Sequence, residues 1–469
     1  MTVETKEKRG RPVYVARLRI DGFRGFHGPR ACDLDFVRPD GGYAGWTVLA
    51  GRNGSGKTTL LRSIAIGLAG PKRAGQLDGD LETQLSYGAS RGELAVDVLP
   101  DPGVDTGTRE PDEITAVALW APEWESEPGQ DDPPFEVVFQ QYREKSARSV
   151  LDYLWSSTPP PGWFHAAYGP FRRLTGTGLY ERTPQVPDRT AALRTLFEEQ
   201  SALTEAFDWL LSLHLRALEN KPGAAALKYG VIDFLNNGLL PEPYHIEGVD
   251  SDGMWLRQLS GEDGTEGPLI ELRRMSDGQR TVVALVLDIV RQMHAAYGEL
   301  TFRTEHQRTF LPHPGVVLID EVDAHLHPSW QQRIGDWLKS RFPAVQFIVT
   351  THSPYVCQAS DPGGLIRVPG PTENTSPGPV SEELRQRIVY GTGDDAVLSE
   401  LFGLDTPYSE QARALRKELV ELEARVVTGE ATDDEEARHA ALRARLSSSP
   451  RTRATELQAR LKRLGVLDE

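Results

Sequence analysis

Short apolar runs alternate with helical patterns along most of the chain. Strands are predicted in "VYVARLRIDGFRGF" (13–26), "WTVLA" (46–50), "VVLI" (316–319) and "VQFIV" (345–349), where apolar residues alternate or run on without interruption. Helices are predicted after the second strand and at 330–342, "WQQRIGDWLKSRF". Strands that alternate with helices favour an α/β fold with a largely parallel sheet.

Two further patterns interrupt this alternation. Residues 189–240 are helical in pattern, with apolar residues at spacings of three, four and seven, and they predict a compact helical subdomain. The stretch 253–279 predicts a hairpin with a Gly-rich turn that runs into "MSDGQR". Residues 100–134 are rich in Pro, Gly, Asp and Glu, which indicates loops between short strands, or an insertion.

The C-terminal part differs in character. Residues 369–380, "PGPTENTSPGPV", predict a linker, and beyond Thr406 the chain is strongly charged. Apolar residues there recur at heptad-like steps, namely Leu415, Leu419, Leu422 and Val426, then Leu442, Leu446, Leu457, Leu461 and Leu464. Two interpretations stay open: a helical hairpin folded back on the main body, or a docking surface for a partner protein.

Composition limits the class of protein. The chain has 469 residues, 39% of them hydrophobic and 26% charged, which is typical of a globular protein with two domains or one large body with an appendage. No apolar run approaches the roughly 20 residues of a membrane span, and the charged start, "MTVETKEKRGRP", resembles no signal peptide. Cys32 and Cys357 form no metal-ligand spacing or disulfide framework. We therefore expect a cytoplasmic protein without a membrane contact.

The formal net charge of −16 disfavours a surface coated in nucleic acid. A local basic groove is still compatible with the sequence, and the best candidates for it are "PFRRL" (170–174) and "ELRRM" (271–275). Solvated faces or intramolecular ion pairs are the simpler explanation of both stretches.

Residues 51–58, "GRNGSGKT", fit G-x-x-x-x-G-K-[ST] between a predicted strand and a predicted helix. Glycines let such a backbone curl so that its N–H groups form an anion site at a helix N-terminus. Lys57 is then placed to reach the β- and γ-phosphates of ATP, and the Thr58 hydroxyl to hold Mg²⁺. The predicted nucleotide-binding residues of this segment are Gly51, Arg52, Asn53, Gly54, Ser55, Gly56, Lys57, Thr58 and Thr59.

A phosphate loop needs acidic groups at a second strand end, and "VVLIDE" supplies them. Asp320 is predicted to position Mg²⁺, and Glu321 to act as general base toward the attacking water. His352 ends the next strand, in "IVTTHSP", where it can sense the γ-phosphate or hold the water. An acidic helix cap and a structural histidine are the simpler alternatives.

The stretch "MSDGQR" permits two interpretations. Ser276 followed by an acidic first turn and the apolar "TVVALVLDIV" predicts an N-capped helix. A helix start does not require Gly278, however, and Ser with Gly at a helix N-terminus also forms a second anion site. Ser276, Gly278 and Gln279 are therefore further candidate nucleotide ligands.

"MSDGQR" resembles the signature motif of ABC-type ATPases, whose commonest form is Leu-Ser-Gly-Gly-Gln. The order of phosphate loop, signature, Asp-Glu strand end, "DAHLHP" (323–328) and strand-end His is similar to that superfamily over residues 13–357. The resemblance implies that Ser276 of one subunit caps the γ-phosphate bound by another, and that Asp323 and His325 belong to the D-loop between two sites. Met275 and Asp277 depart from the commonest signature, and Gln84, Gln140 and Gln141 are weak candidates for the Q-loop residue.

The resemblance implies an ABC-type P-loop head of α/β class, a mixed sheet flanked by helices, with a short helical insertion and a C-terminal helical region. The predicted segments are an N-terminal ATPase lobe with the phosphate loop (1–188), a helical subdomain (189–240), a C-terminal ATPase lobe with signature, Walker B and His switch (241–368), and a linker with a helical partner-docking region (369–469).

"FRGF", "HLHPSWQQ" and "TTHSP" look like the soluble RecF/OLD-like group, and "WFHAAYGPFRRLTG" (163–176) like the ATPases of Septu-type anti-phage systems, relatives of which accompany retrons. No Asp-x-Asp pair follows Pro354, as a TOPRIM nuclease domain requires, and no HNH cluster is present. The resemblance implies a homo-oligomeric ATPase that uses ATP and Mg²⁺, gates a separate HNH-type nuclease and reaches DNA through that complex. Tyr168 and Arg172 are expected either to contact nucleotide or a neighbouring subunit, or to pack internally.

Two other functions compete with this one. A RecF-like DNA-repair ATPase that clamps DNA fits the motifs, although the acidic balance disfavours it. A nucleotide-binding scaffold without hydrolysis conflicts with the intact Glu321.

Overall fold

The structure is a computed structural model of the chain. It describes residues 14–70, 74–78, 84–89, 91–99, 114–122, 135–142, 162, 164–170, 172, 190–198, 203–240, 243–259, 266–397, 399, 401–402 and 408–446, with backbone alone at 114–122 and 135–142. Residue contacts divide it into one unit that comprises Met1–Arg385 and a second that comprises Gln386–Glu469.

The first unit contains all the strands described below. They are β1 (Tyr14–Asp21), β2 (Cys32–Asp35), β3 (Gly45–Ala50), β4 (Gly92–Leu99), β5 (Ile114–Pro122), β6 (Phe135–Tyr142), β7 (His165–Tyr168), β8 (Tyr244–Asp250), β9 (Gly253–Leu259), β10 (Glu266–Glu271), β11 (Arg303–Glu305), β12 (Arg308–Phe310), β13 (Gly315–Ile319), β14 (Val345–Thr351), β15 (Leu365–Arg367) and β16 (Gly378–Pro379).

The helices fall in both units. They are α1 (Lys57–Ala69), α2 (Ala74–Leu77), α3 (Ala191–Arg194), α4 (Thr204–Leu218), α5 (Ala224–Asn236), α6 (Asp277–Tyr297), α7 (Pro328–Gln331), α8 (Ile334–Arg341), α9 (Pro354–Cys357), α10 (Glu382–Tyr390), α11 (Gly393–Val397), α12 (Glu410–Thr428) and α13 (Asp433–Arg445).

A mixed sheet with the strand order β16-β15-β3-β14-β13-β7 forms the centre of the first unit. The pairs from β15 through β7 are parallel, and only β16 is antiparallel to its neighbour. Strands β13 and β14 are buried along their whole length, which explains their uninterrupted apolar sequence. The predicted α/β class with a mixed sheet flanked by helices is confirmed. Parallel pairing also brings the carboxyl ends of β3, β7, β13 and β14 to one edge.

An antiparallel sheet, β2-β1-β4-β5-β6, packs against the other side of α1. Helix α1 lies between the two sheets, and nearly all its apolar residues are buried, including Leu60, Leu61 and Ile64. The stretch 100–134, predicted as loops between short strands or an insertion, lies mostly outside the described residues. Strand β5 falls within it, and β4 and β6 border it.

Helices occur within 189–240, and a hairpin occurs within 253–279, as the sequence patterns predicted. Helices α4 and α5 pack on each other and on α6, with Ala206, Leu210 and Leu213 as the buried stripe of α4. Strands β9 and β10 form the predicted hairpin, and β8 adds a third strand that the sequence did not indicate.

The segment predicted as a linker, 369–380, differs from that expectation. Arg30 donates hydrogen bonds to the carbonyl oxygens of Gly370 and Glu373, and β16 pairs with β15 in the central sheet. These contacts hold the segment on the first unit, which continues to Arg385.

In the second unit, α12 and α13 form a helical hairpin. The hairpin shape agrees with one of the two interpretations, and its packing on the main body stays a prediction. Arg438 donates to Glu418 at 2.8 Å, and Arg425 pairs with Glu435. Leu442 and Leu446 are buried, whereas Val420 and Val427 are exposed. Leu457, Leu461 and Leu464 lie outside the described residues. Across the described part of the chain, no helix combines the length and apolar character that a membrane crossing demands.

The close approach of α1 to β4 yields a stability prediction. A Cβ at Gly67 would lie 2.4 Å from Cγ2 of Val96, a stiff β-branched side chain. We expect Gly67→Ala to destabilise the protein by about 1–3 kcal/mol despite the better helix propensity of Ala. Gly75→Ala in α2 is the matched control, because no atom of the described residues lies within 4 Å of its Cβ position. Thermal unfolding midpoints that are equal for the two variants would contradict this packing.

Candidate functional site

The phosphate-loop residues lie between β3 and the N-terminus of α1, as predicted. Gly56 is the N-cap with φ 101°, and a Cβ there would lie 2.6 Å from the Phe26 ring. Glycine is therefore required at this position both for the left-handed backbone and for the contact with Phe26. Arg52, Asn53 and Gly54 are exposed, while Ser55 is buried and its hydroxyl has no hydrogen-bond partner within the described structure. An anion can approach this helix N-terminus.

The Lys57 ammonium is directed into the loop. Its Nζ donates to the carbonyl oxygens of Gly51 at 2.9 Å and Arg52 at 3.0 Å. Burial lowers the pKa of Lys57 to about 8, although Asp320, Glu321 and Asp323 favour its charged form. A phosphate group bound in the loop would add negative charge next to the buried ammonium and would favour its protonated form.

Asp320 follows β13 directly, and each of its carboxylate oxygens accepts a hydrogen bond. Thr58 Oγ1 donates to Oδ2 at 2.8 Å, and Thr350 Oγ1 donates to Oδ1 at 2.5 Å. A hydroxyl oxygen next to a carboxylate oxygen is the kind of ligand pair that Mg²⁺ prefers. The two residues predicted as metal ligands, Thr58 and Asp320, are thus in contact and fit that ion.

Glu321 is partly buried and has an unusual backbone, with φ 45°. Its N–H donates to Thr350 Oγ1 at 2.7 Å. Burial raises the pKa of the Glu321 carboxyl, and the charges of Asp320 and Asp323 raise it further, against opposing effects of Lys57 and Arg172. A carboxylate with a raised pKa is a better acceptor for a proton from water.

His352 follows β14 on the same edge, and Asp323 ties the D-loop to it. Asp323 Oδ1 accepts from Thr351 Oγ1 at 2.5 Å and from the main-chain N of His352 at 3.3 Å. Burial lowers the pKa of the His352 imidazole, and the charge of Lys57 lowers it as well. The neutral ring is therefore favoured, and it can accept or donate a hydrogen bond.

At the start of α6, Ser276 forms a complete capping box with Gln279. Ser276 Oγ accepts from the N–H of Gln279 at 3.4 Å, and Oε1 of Gln279 accepts from the N–H of Ser276 at 3.1 Å. The helix-cap interpretation of "MSDGQR" is thus confirmed. Ser276 is exposed and Gln279 is partly exposed, whereas the body of α6 is buried.

Gly278 has a role within the chain that the sequence analysis missed. A Cβ at this position would lie 2.5 Å from the carbonyl oxygen of His325, whose own φ is 65°. The signature segment and the D-loop of one chain are consequently in direct main-chain contact. The sequence signal for this role was Gly278 itself, because a helix start does not require glycine. That signal does not identify His325 as the residue in contact.

Tyr168 and Arg172 pack internally, which was one of the two expectations. Tyr168 OH donates to Asp288 on α6 at 2.9 Å, and Asp288 also accepts from Arg291 at 2.8 Å. Arg172 is buried and donates to main-chain carbonyl oxygens of the Asp320–Val322 turn. The sequence analysis singled out Arg172 without its contact to the acidic turn, and it did not single out Thr350 or Asp288.

Other candidates are placed less informatively. Gln84 is buried and donates to Asp78 at 3.0 Å, so its amide is engaged locally. The side chains of Gln140 and Gln141 lie outside the described residues. Of the basic candidates, Arg273 pairs with Glu271 at 3.2 Å, as the ion-pair interpretation expected.

Family models agree with this arrangement. One described as "AAA domain, putative AbiEii toxin, Type IV TA system" matches residues 186–358, and one described as "AAA domain" matches residues 17–99. The chain is 25% identical over 347 residues to the Septu protein PtuA of Bacillus mycoides (strain KBAB4), covering 74% of this chain and 39% of that protein. It is 45% identical over 92 residues to the retron Ec83 probable ATPase of Escherichia coli, covering 20% of this chain and 16% of that protein.

The chain resembles PtuA and the retron ATPases. A third relative, the retron Vc95 probable ATPase of Vibrio cholerae serotype O1 biovar El Tor, is 43% identical over 90 residues, covering 19% of this chain and 16% of that protein. The matched regions thus span well under half the length of these relatives. Among solved structures, the Smc head bound to the C-winged helix domain of ScpA aligns with a TM-score of 0.44 and 17% identity, over 79% of this chain and 98% of that one.

The contact between Gly278 and His325 yields a second prediction. Gly278→Ala forces main-chain atoms apart, and we expect a loss of about 1–3 kcal/mol in stability. Gly248→Ala in β8 serves as control, because nothing lies within 4 Å of its Cβ position, and we expect a change below about 0.5 kcal/mol. Denaturant unfolding of the two variants measures the difference. Wild-type stability of Gly278→Ala would mean that the signature and the D-loop do not touch in solution.

Proposed function

We propose that this chain is the ATP-binding and hydrolysing subunit of an anti-phage defence complex. The convergence of Lys57, the Thr58–Asp320 pair and Glu321 at one sheet edge carries the ATPase proposal. The names of the relatives, Septu protein PtuA and retron ATPases, support the defence role. Localisation in the cytoplasm belongs to the same proposal.

The reaction proposed is ATP + H₂O → ADP + phosphate. Lys57 and the N–H groups at the start of α1 bind the phosphates, while Thr58 and Asp320 hold Mg²⁺. When bound, the ion offsets charge on the phosphate oxygens. The oxygen of the water molecule attacks the γ-phosphorus, and Glu321 accepts a proton from that water. The bond between the γ-phosphorus and the β–γ bridging oxygen breaks. His352 orients that water or the γ-phosphate.

We further propose that two copies share each ATP site. Ser276 lies exposed at a helix N-terminus, where N–H donors and the helix dipole favour an anion. Gly278 lies against the D-loop residue His325, so both segments are presented together. A signature segment that completes the site of another copy would make ATP a bridge between subunits.

The finer part of the proposal concerns the partner. We propose that the oligomer binds a separate HNH-type nuclease, that ATP gates its cleavage of DNA, and that this chain contains no nuclease site. A neighbouring gene for an HNH-type protein, and its co-purification with this chain, would support the gating role. A neighbourhood of replication and repair genes, with ATP-dependent DNA binding by the isolated chain, would favour a RecF-like clamp.

Lys57→Ala tests the nucleotide site. The change removes the buried ammonium that faces the loop, so we expect the loss of measurable ATP binding in titration calorimetry. Arg17→Ala is a suitable control, because Arg17 lies on the exposed side of β1 in a pair with Asp33. ATP binding by Lys57→Ala at wild-type affinity would refute the site.

Ser276→Asp and Ser276→Asn test the shared site in a Glu321→Gln background, where the loss of the general base should trap ATP. Aspartate and asparagine both cap helices as well as serine, so stability should hold in both. Only the aspartate places negative charge against a phosphate, and it should abolish the ATP-dependent rise in mass that light scattering measures. Equal assembly by both variants would refute the shared site and leave the cap as the role of Ser276.

A further inference from the structure

Arg172 is brought to the site by parallel strand pairing. Strand β7 pairs with β13, and the ladder continues as the N–H of Asp320 donates to the carbonyl oxygen of Tyr168 at 2.8 Å. The chain after Tyr168 therefore leaves the sheet beside the acidic turn that follows β13. Arg172 lies on this exit, outside the phosphate loop, the signature and the D-loop.

The guanidinium of Arg172 spans the acidic turn along its main chain. Nη1 donates to the carbonyl oxygen of Asp320 at 3.0 Å, and Nη2 donates to that of Glu321 at 2.8 Å. Longer contacts of 3.5 Å reach the carbonyl oxygens of Gly169 and Val322. The planar fork of arginine can contact several acceptors at once, which the single ammonium of lysine cannot do in the same geometry.

Burial of this cation is costly and needs compensation. Arg172 is 5% exposed, and burial lowers its pKa to about 10, against the stabilising charges of Asp320, Asp323 and Glu321. An arginine at the surface would avoid this cost. The buried position therefore indicates that Arg172 has a role at the acidic turn. Its hydrogen bonds within the described structure end on carbonyl oxygens, which leaves the nearby carboxylates available for other ligands.

Glu321 needs such support because its backbone is strained. A non-glycine residue at φ 45° is strained and persists only where its surroundings hold it. Thr350 holds the N–H of Glu321, and Arg172 holds its carbonyl oxygen. Together they fix the peptide groups on both sides of the Glu321 Cα, and hence the direction of its side chain.

We propose that Arg172 is a positioning residue for ATP hydrolysis, which holds the Asp320–Val322 turn so that the Glu321 carboxylate faces the attacking water. This inference rests on the proposed ATPase function. Arg172 acts through Glu321 and contacts neither nucleotide nor water itself. Its loss should therefore slow turnover without weakening ATP binding.

Full-length Arg172→Lys is the first test, with Mg²⁺ and ATP as the probe. We expect kcat to fall on the order of 10- to 100-fold, as for a slightly misplaced catalytic group, while the ATP dissociation constant changes less than about threefold. Arg341→Lys is the matched control. Arg341 is also buried, and it donates to the carbonyl oxygens of Thr309 at 3.1 Å and Asn237 at 2.6 Å. Thr309 and Arg341 precede β13 and β14, whereas the acidic turn follows β13. It should lose stability but keep kcat.

A double-mutant cycle with Glu321→Gln separates positioning from a general structural role. If Arg172 acts through Glu321, Arg172→Lys should slow the Glu321→Gln enzyme less than about twofold, because residues that act as a unit are not additive. An equal fold-loss in both backgrounds would overturn the proposal, and so would wild-type kcat in Arg172→Lys. Arg172→Gln, which keeps two donors without the charge, replaces it if the lysine variant does not fold. Failure of both variants to fold would identify Arg172 as a residue of fold stability and also overturn the proposal.

The same data distinguish this inference from the ATPase function beneath it. Absence of hydrolysis by wild type, or hydrolysis that Glu321→Gln leaves unchanged, would reject the ATPase proposal. Hydrolysis that depends on Glu321 but not on Arg172 would reject the positioning role alone.

Discussion

The hydrogen bonds to the Asp320 carboxylate join the parts of this site. Thr58 reaches one oxygen from the start of α1, and Thr350 reaches the other from the end of β14. Thr350 also accepts from the N–H of Glu321, so one threonine fixes both acidic residues. This arrangement exists only because β3, β14 and β13 are parallel neighbours, whose carboxyl ends meet. An antiparallel pairing would place the phosphate loop and the acidic turn at opposite edges.

Carboxylates and buried cations lie close together at this edge, and their charges affect the pKa values of Lys57, Arg172 and Glu321. Asp320, Glu321 and Asp323 are close enough to one another that the charges of the two aspartates raise the pKa of Glu321. Lys57 and Arg172 oppose that effect, although burial depresses the pKa of each of these cations. The phosphates of ATP and a divalent cation would bring charges of both signs to the cluster. The cluster is thus suited to a ligand of mixed charge such as Mg²⁺ with ATP.

The sequence predicted the elements of this site better than their contacts. The phosphate loop, the strand before Asp320 and the strand before His352 each have a local pattern, because glycine content and apolar runs report directly on backbone shape. The capping box of Ser276 is local for the same reason. The contacts of Thr350, Arg172 and Asp288 have no such pattern, since each joins residues that are distant in sequence. The segment 369–380 was wrongly expected to be a linker because Pro and Gly residues are typical of linkers. The sequence does not indicate the hydrogen bonds that Arg30 donates to its main chain.

The helix cap at "MSDGQR" is compatible with the proposed role of this segment as a ligand for ATP bound by another copy. Ser276 caps its own helix, yet a capped N-terminus still presents exposed N–H donors and a positive dipole end. The close approach of Gly278 to His325 connects the start of α6 to the "DAHLHP" segment. The D-loop in turn contacts His352 through Asp323. A ligand that displaced the signature segment of one copy would therefore press on main-chain atoms that lead to its own His352. If two copies share their ATP sites as proposed, the physical path between those sites would consist of this steric contact and of two hydrogen bonds to one carboxylate oxygen.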